Sequence, residues 1–315
     1  MACISSTSYS KGFNIFNKVS EEEFDISNKN FLRMFMLNTS NKLFNYDEMY
    51  EYILPNVAKY VFSRKRFSQI EKDDSKYITI ILEALDHLRK IYNDTDDGAG
   101  GELGEILLYL FLECHLKAPK LLSKVQLKTN SQDYVKGCDG IHCKFRINNE
   151  GEKILQIVIG EAKIQNDLKK AIENALSSID RYLSNNTQDI NLLNTHLMDQ
   201  IFDEEEAELL KGYILQKPRK PTETIFGIFI GYTITYDGTS DTNDVYAKKV
   251  IEENIKQVME LKAYIIKKIK EYRISNYEFN FYFLPFLNAA RVRKVIMKSL
   301  TSGKSKLEWG EIRNG

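Results

Sequence analysis

The sequence predicts an α/β fold: a mixed central sheet flanked by helices, with a mostly helical N-terminal lead-in. Three observations carry this expectation. Short apolar runs bounded by turn residues crowd into positions 124–160, the habit of strands. Runs with apolar residues every three or four positions flank them at 100–116 and 166–184, the period of a helix with one buried face. Strand, long helix and strand then follow one another between 224 and 286, the order of a parallel crossover.

Residues 1–45 are mixed, with an acidic EEE at 21–23 and no clear period. Helical patterns follow at about 46–64 and 75–93, the second repeating Ile78, Ile81, Leu82, Leu85 and Leu88. NDTDDGAGG at 93–101 breaks the pattern as a loop, in which Asp97 can cap the next helix. GELGEILLYLFLECHL resumes it, with Leu103, Ile106, Leu107, Leu110 and Cys114 on one face and Glu102, Glu105 and Tyr109 together beside it. Strands are expected at 124–129 (KVQLKT), 138–147 (CDGIHCKFRI) and 153–160 (KILQIVIG), the last two joined by the turn NNEG. The helix at about 166–184 buries Leu168, Ile172, Ala175, Leu176 and Ile179 on one side.

DEEEAE at 203–208 and QKPRKP at 216–221 read as a surface linker or loop, because Pro218 and Pro221 interrupt regular structure. A strand at 224–236, a helix at about 245–273, a strand at 277–286 and a helix at about 287–300 complete the chain. Residues 1–95 are read as a mostly helical N-terminal region. Residues 96–315 form the core, with its motifs at 100–185 and the strand–helix–strand as a C-terminal extension.

Composition narrows the functional classes. Lys plus Arg and Asp plus Glu both number 44, so overall charge does not advertise a nucleic-acid partner, although local patches matter more than the sum. No apolar run approaches the roughly 18 residues of a membrane span, and no signal peptide is visible. The four cysteines, Cys3, Cys114, Cys138 and Cys143, are sparse and indicate a reducing, cytoplasmic setting.

The chemistry concentrates in IVIGEAKIQ, residues 157–165, where an apolar strand runs into Glu161 and Lys163. If the preceding turn centres on Glu150, residue i pairs with 300 − i and Asp139 falls opposite Glu161. Opposed residues of an antiparallel pair share a face with Cβ atoms about 4.5–5.5 Å apart. The strand period of two adds Lys163 to that face, next to Ile141 and Cys143. Two carboxylates so close in apolar surroundings repel unless a cation sits between them. Mg²⁺ (or Mn²⁺) suits the task, with the Ala162 carbonyl as an additional ligand. Lys163 can then orient the attacking water or offset charge in a phosphoryl-transfer transition state. Glu105, and with less support Glu102, can add an acid from the 100–116 helix.

Other readings carry less. Cys114, His115, Cys138, His142 and Cys143 invite zinc, but no C-x₂-C pair exists and His142 and Cys143 face opposite ways. SGKS at 302–305 lacks the glycine of a phosphate loop, since Lys298 stands at that position, and it follows a helix rather than a strand. The basic run from Arg291 to Lys306 holds Arg291, Arg293, Lys294, Lys298, Lys304 and Lys306 without an acid. Arg291 and Arg293, with Lys169 and Lys170 after the Glu161 strand, are candidate contacts to DNA phosphates.

The ordered set GELGE, GCDGIH, IVIGEAK resembles the PD-(D/E)xK nuclease superfamily, with Cys138 where its nominal motif has proline. GELGEILLYLFLE, GCDGIH and GEAKIQNDLKKAIENALSSI are further similar to the HamA nuclease subunits of the Hachiman anti-phage defence system, from about residue 45 onward. The resemblance implies a restriction-endonuclease-like core and a metal-dependent DNA nuclease. It also implies control by a helicase/ATPase subunit (HamB-like) until phage attack or DNA damage releases the activity. Two alternatives stand beside it: a non-catalytic nuclease-fold scaffold that binds DNA or regulates a helicase, and a stand-alone restriction-type endonuclease.

Overall fold

A computed structural model of the protein describes residues 12–71, 74–92, 101–123, 125, 137–185, 204–214, 220–236, 238 and 240–307. Seven strands form one mixed sheet: β1 (Phe16–Asp25), β2 (Lys29–Leu37), β5 (Lys120–Ser123), β6 (Gly140–Ile147), β7 (Lys153–Gln165), β8 (Thr222–Thr233) and β9 (Glu278–Phe286). A small pair, β3 (Thr39–Ser40) and β4 (Leu43–Phe44), stands apart. The sheet order is β1-β2-β9-β8-β7-β6-β5. β2, β9, β8 and β7 run parallel, while β1 and the β6 and β5 edge are antiparallel to their neighbours.

The helices are α1 (Tyr46–Val61), α2 (Arg64–Glu71), α3 (Asp74–Ile91), α4 (Glu102–Cys114), α5 (Leu168–Asn185), α6 (Glu204–Ile214), α7 (Asn243–Glu260), α8 (Lys262–Glu271) and α9 (Ala289–Thr301). They cover both faces. Side chains of α1, α3, α4 and α9 form one apolar cluster with Val158, Ala162 and Ile164 of β7. Side chains of α5, α6 and α8 form the other with Ile157 and Ile159. Alternate residues of one strand thus feed opposite cores, which is why β7 reads as an unbroken apolar run.

The expected α/β architecture with a mixed sheet flanked by helices is present. The N-terminal lead-in, however, is not clearly helical, since β1 and β2 precede its helices in the same sheet. β2 is buried at seven of its nine positions, the others being the half-buried Phe31 and the exposed Lys29. A strand covered on both faces shows no alternation for a period search to find. The acidic segment at 203–208 mostly belongs to α6 rather than to a linker. Ala207, Leu210 and Tyr213 recur on one buried side of it, a pattern masked by the surrounding glutamates. The single helix expected at 245–273 is two, α7 and α8, meeting at Leu261. The strand expected at 124–129 and the cap at Asp97 fall outside the described residues, Val125 excepted.

The β6–β7 hairpin has the expected register, from Gly140 opposite Gly160 to Ile147 opposite Lys153. α4 is laid across this part of the sheet through small residues. A Cβ added at Gly104 would lie 3.3 Å from the Ala162 Cβ. One added at Gly160 would lie 2.8 Å from Leu108 Cδ2 and 3.2 Å from the Gly140 carbonyl oxygen. Helix and sheet therefore approach more closely than side chains on both would allow.

Two outcomes follow for stability. Gly160→Ala drives a methyl against a backbone oxygen that cannot swing aside, with an expected loss of about 1–3 kcal/mol by overpacking, read by chemical denaturation. His142 is buried, and its Nδ1 donates to the Ala118 carbonyl at 2.7 Å. Burial, opposed by the Glu113 charge, pushes its pKa down to about 4, against about 6.5 in an unfolded chain. The unfolded state then binds the extra proton first as pH falls. Stability is fully present above about 6.5 and declines by roughly 3 kcal/mol towards pH 4, and His142→Gln flattens that slope.

Candidate active site

Asp139 stands at the head of β6. Its amide donates to the Gly160 carbonyl at 2.9 Å, and its Oδ2 accepts from the Ala162 amide at 2.8 Å. The side chain thereby clamps the end of β7 where Glu161 and Lys163 emerge. Asp139 and Glu161 are both buried, at 8% and 4% exposure. Lys163 is half-buried and its Nζ forms an ion pair with Glu161 Oε1. Burial and the neighbouring Asp139 charge raise the Glu161 carboxyl well above the usual carboxylate range. Lys163, and a hydrogen bond with Ser178 of α5, act in the opposite sense. A further cation beside Glu161 would therefore favour its charged form.

The two α4 acids approach from the other face of β7, the face that Gly104 touches at Ala162. Both are buried. Glu105 Oε2 accepts from the Tyr60 hydroxyl at 2.9 Å, and Gly101, at the start of α4, has no Cβ to collide with Glu105 Oε1. Glu102 Oε2 is buried without a hydrogen-bond partner. The charges of Glu105, Asp139 and Glu102 all reach the Tyr60 phenol, after burial the main causes of its raised pKa. The Asp139 charge is thus felt both by Glu161 and by the Tyr60 phenol that Glu105 engages.

The donor set suits a hard cation. Mg²⁺ characteristically takes one or two carboxylates and fills its remaining positions with water and substrate phosphate. Asp139 and Glu161 would supply those carboxylates, and the Ala162 carbonyl is adjacent. Among the described residues no group of three or more His, Cys, Asp or Glu side chains is arranged to hold a metal. The orphaned Glu102 oxygen is a buried acceptor still in need of a donor or cation.

The basic candidates have distinct environments. Lys169 and Lys170 are exposed on the first turn of α5, and the Lys169 ammonium lies 4.8 Å from the centre of the Tyr264 ring. Arg291 and Arg293 are half-buried on α9. The Arg293 guanidinium donates to the Ile164 carbonyl at 3.3 Å, just beyond Lys163. Asn166 Oδ1 accepts from Thr233 Oγ1 at 2.7 Å and from the Ala290 amide at 3.1 Å. This bond ties the starts of α5 and α9 to the same strand end. SGKS forms the turn that ends α9, with Gly303 at φ 67°.

Two participants were not anticipated from the sequence. Tyr60 lies 45 residues from Glu105, and no local pattern announces that pairing. Ser178 was visible in principle: it takes the position i+7 from Ala171 and i+3 from Ala175 on the buried side of α5, where an apolar residue is the norm.

Among curated proteins no sequence matches the chain. The HamA family model matches residues 14–300.

Proposed function

The chain belongs to the HamA family, membership that carries a role in Hachiman anti-phage defence, and from this premise we propose that it is a metal-dependent DNA nuclease controlled by a helicase partner. The observation that carries the reading is the buried pair Asp139 and Glu161, pressed together at a strand end beside Lys163. Burying two acids with one cation is costly for a fold, and stability alone gives no reason to keep the arrangement.

The reaction is phosphodiester hydrolysis. Water oxygen bonds to phosphorus, one P–O ester bond breaks, and the leaving oxygen takes a proton. A divalent ion, when bound, would compensate the negative charge of the phosphate. Asp139 and Glu161 are the residues that would hold it, with the Ala162 carbonyl adjacent. Lys163, steered by Glu161, orients the water and offsets charge on the reacting phosphate. The hydrogen bond from the Ala162 amide keeps the Asp139 carboxylate from turning away. Burial of both acids keeps bulk water from screening these interactions.

The surroundings fit a polyanionic substrate. The N-terminal ends of α5 and α9 meet at Asn166, two helix ends with positive dipoles. Lys169, Lys170 and Arg291 occupy the first turns of these helices and Arg293 the second turn of α9, where a DNA backbone crossing the strand end would meet them. No helix among the described residues is long and apolar enough to cross a membrane.

Glu161→Ala and Lys163→Ala are each expected to reduce Mg²⁺-dependent cleavage of double-stranded DNA at least about a hundredfold, with an unchanged circular-dichroism spectrum. Parent-like cleavage by these variants would refute the assignment.

A further inference from the structure

Tyr60 joins the N-terminal helix α1 to the acidic site. It lies in the last turn of α1 and is 1% exposed. Its hydroxyl donates to Glu105 on α4, while its carbonyl accepts from Lys120 Nζ of β5 at 2.9 Å. The same ammonium donates to the carbonyls of Lys59 at 2.6 Å and Phe62 at 2.8 Å. Three carbonyl acceptors match the three hydrogens of an ammonium, whereas a neutral amine has two. The Lys120 amino group therefore closes the C-terminal turn of α1, where carbonyls lack partners within the helix and the dipole is negative; burial, opposed by the Glu113 charge, pulls its pKa down to about 7, while the three acceptors favour the charged form.

Lys120 is held in turn by α4. Its amide donates to Glu113 Oε1 at 2.7 Å, and both residues are wholly buried. α1, α4 and β5 are thus joined at this point, and the Tyr60 ring cannot drift away from Glu105. It also packs against Tyr109, with ring centres 5.8 Å apart. What the hydroxyl controls is the first turn of α4. Glu102 and Glu105 sit three residues apart on that turn, both buried, and neighbouring like charges on a helix repel. A donor fixed on Glu105 restrains one carboxylate and sets the turn that carries the other. The same turn touches β7 at Ala162, the residue whose amide holds Asp139.

We propose that Tyr60 is a positioning residue for this site: its hydroxyl fixes Glu105 and keeps the acidic first turn of α4 in place beside Asp139. The inference rests on the nuclease reading above and adds a second region of the chain, the N-terminal helix, to the machinery.

The test is a double-mutant cycle on the full chain with Tyr60→Phe, Glu105→Gln and the two combined. Mn²⁺ affinity is measured by electron paramagnetic resonance of the free ion, and kcat and KM with linear duplex DNA. Tyr60→Phe removes one oxygen and keeps the ring, so the fold is retained. It is expected to weaken Mn²⁺ binding about tenfold and to lower kcat by a similar factor, the size of effect typical when a hydrogen bond in the outer shell of a metal site is lost, with KM for DNA unchanged. The combined variant is expected to be no worse than the poorer single variant.

Parent-like Mn²⁺ affinity and kcat in Tyr60→Phe, while Glu161→Gln has lost both, overturn the inference and leave the nuclease reading standing. Additive effects in the cycle, or a lowered melting temperature as the sole change, overturn it as well. If the parent and Glu161→Gln are alike in both measurements, it is the nuclease reading that fails, and the role of Tyr60 falls with it.

Discussion

The hydrogen bond from the Ala162 amide to the Asp139 carboxylate is the constraint on which the candidate site depends. It binds the first residue before β6 to the emerging end of β7. Asp139 must therefore face the same strand end as Glu161 and Lys163, and must do so where water is excluded. Each consequence is physical. Exclusion of water makes the proximity of two carboxylates expensive. That expense raises the Glu161 carboxyl and draws Lys163 into an ion pair. On the proposed reading, a divalent ion bound there would relieve this repulsion.

The hairpin and α4 bring this about by complementary means. The hairpin register is dictated by a short turn between two strands, and a slip of one residue would send Asp139 to the opposite face. α4 comes near because Gly104 lies over Ala162 and Leu108 fills the space over Gly160. These close approaches bring Glu102 and Glu105 down to the sheet from the face opposite Glu161. The site is thus assembled from both sides of β7 at its C-terminal end, the position at which open α/β sheets generally carry their ligands.

Much of this was legible in the sequence because it is local. The turn NNEG sits midway between two strand-like runs, which is enough to pair Asp139 with Glu161. The 3.6-residue spacing in GELGEILLYLFLEC identifies α4 and the side on which its acids lie. What escaped the sequence is long-range or masked. β2 hides its period because both faces are covered. α6 hides an apolar stripe among glutamates. Tyr60 and Glu105 meet where Lys120, sixty residues beyond Tyr60, closes α1 from inside the core. The roles of Glu102 and Glu105 were also beyond the spacing rule, which places both on one side of α4 but cannot say that Tyr60 engages Glu105 and that an oxygen of Glu102 is without a partner.

The central claim is that Asp139 and Glu161 share one divalent ion. Anomalous scattering from crystals of the full chain grown with Mn²⁺ addresses it directly. The account predicts one anomalous peak bridging the two carboxylates, within reach of the Ala162 carbonyl, and its disappearance in Asp139→Asn. A chain fully exposed to Mn²⁺ that shows no peak there, or a peak that survives the loss of Asp139, contradicts it.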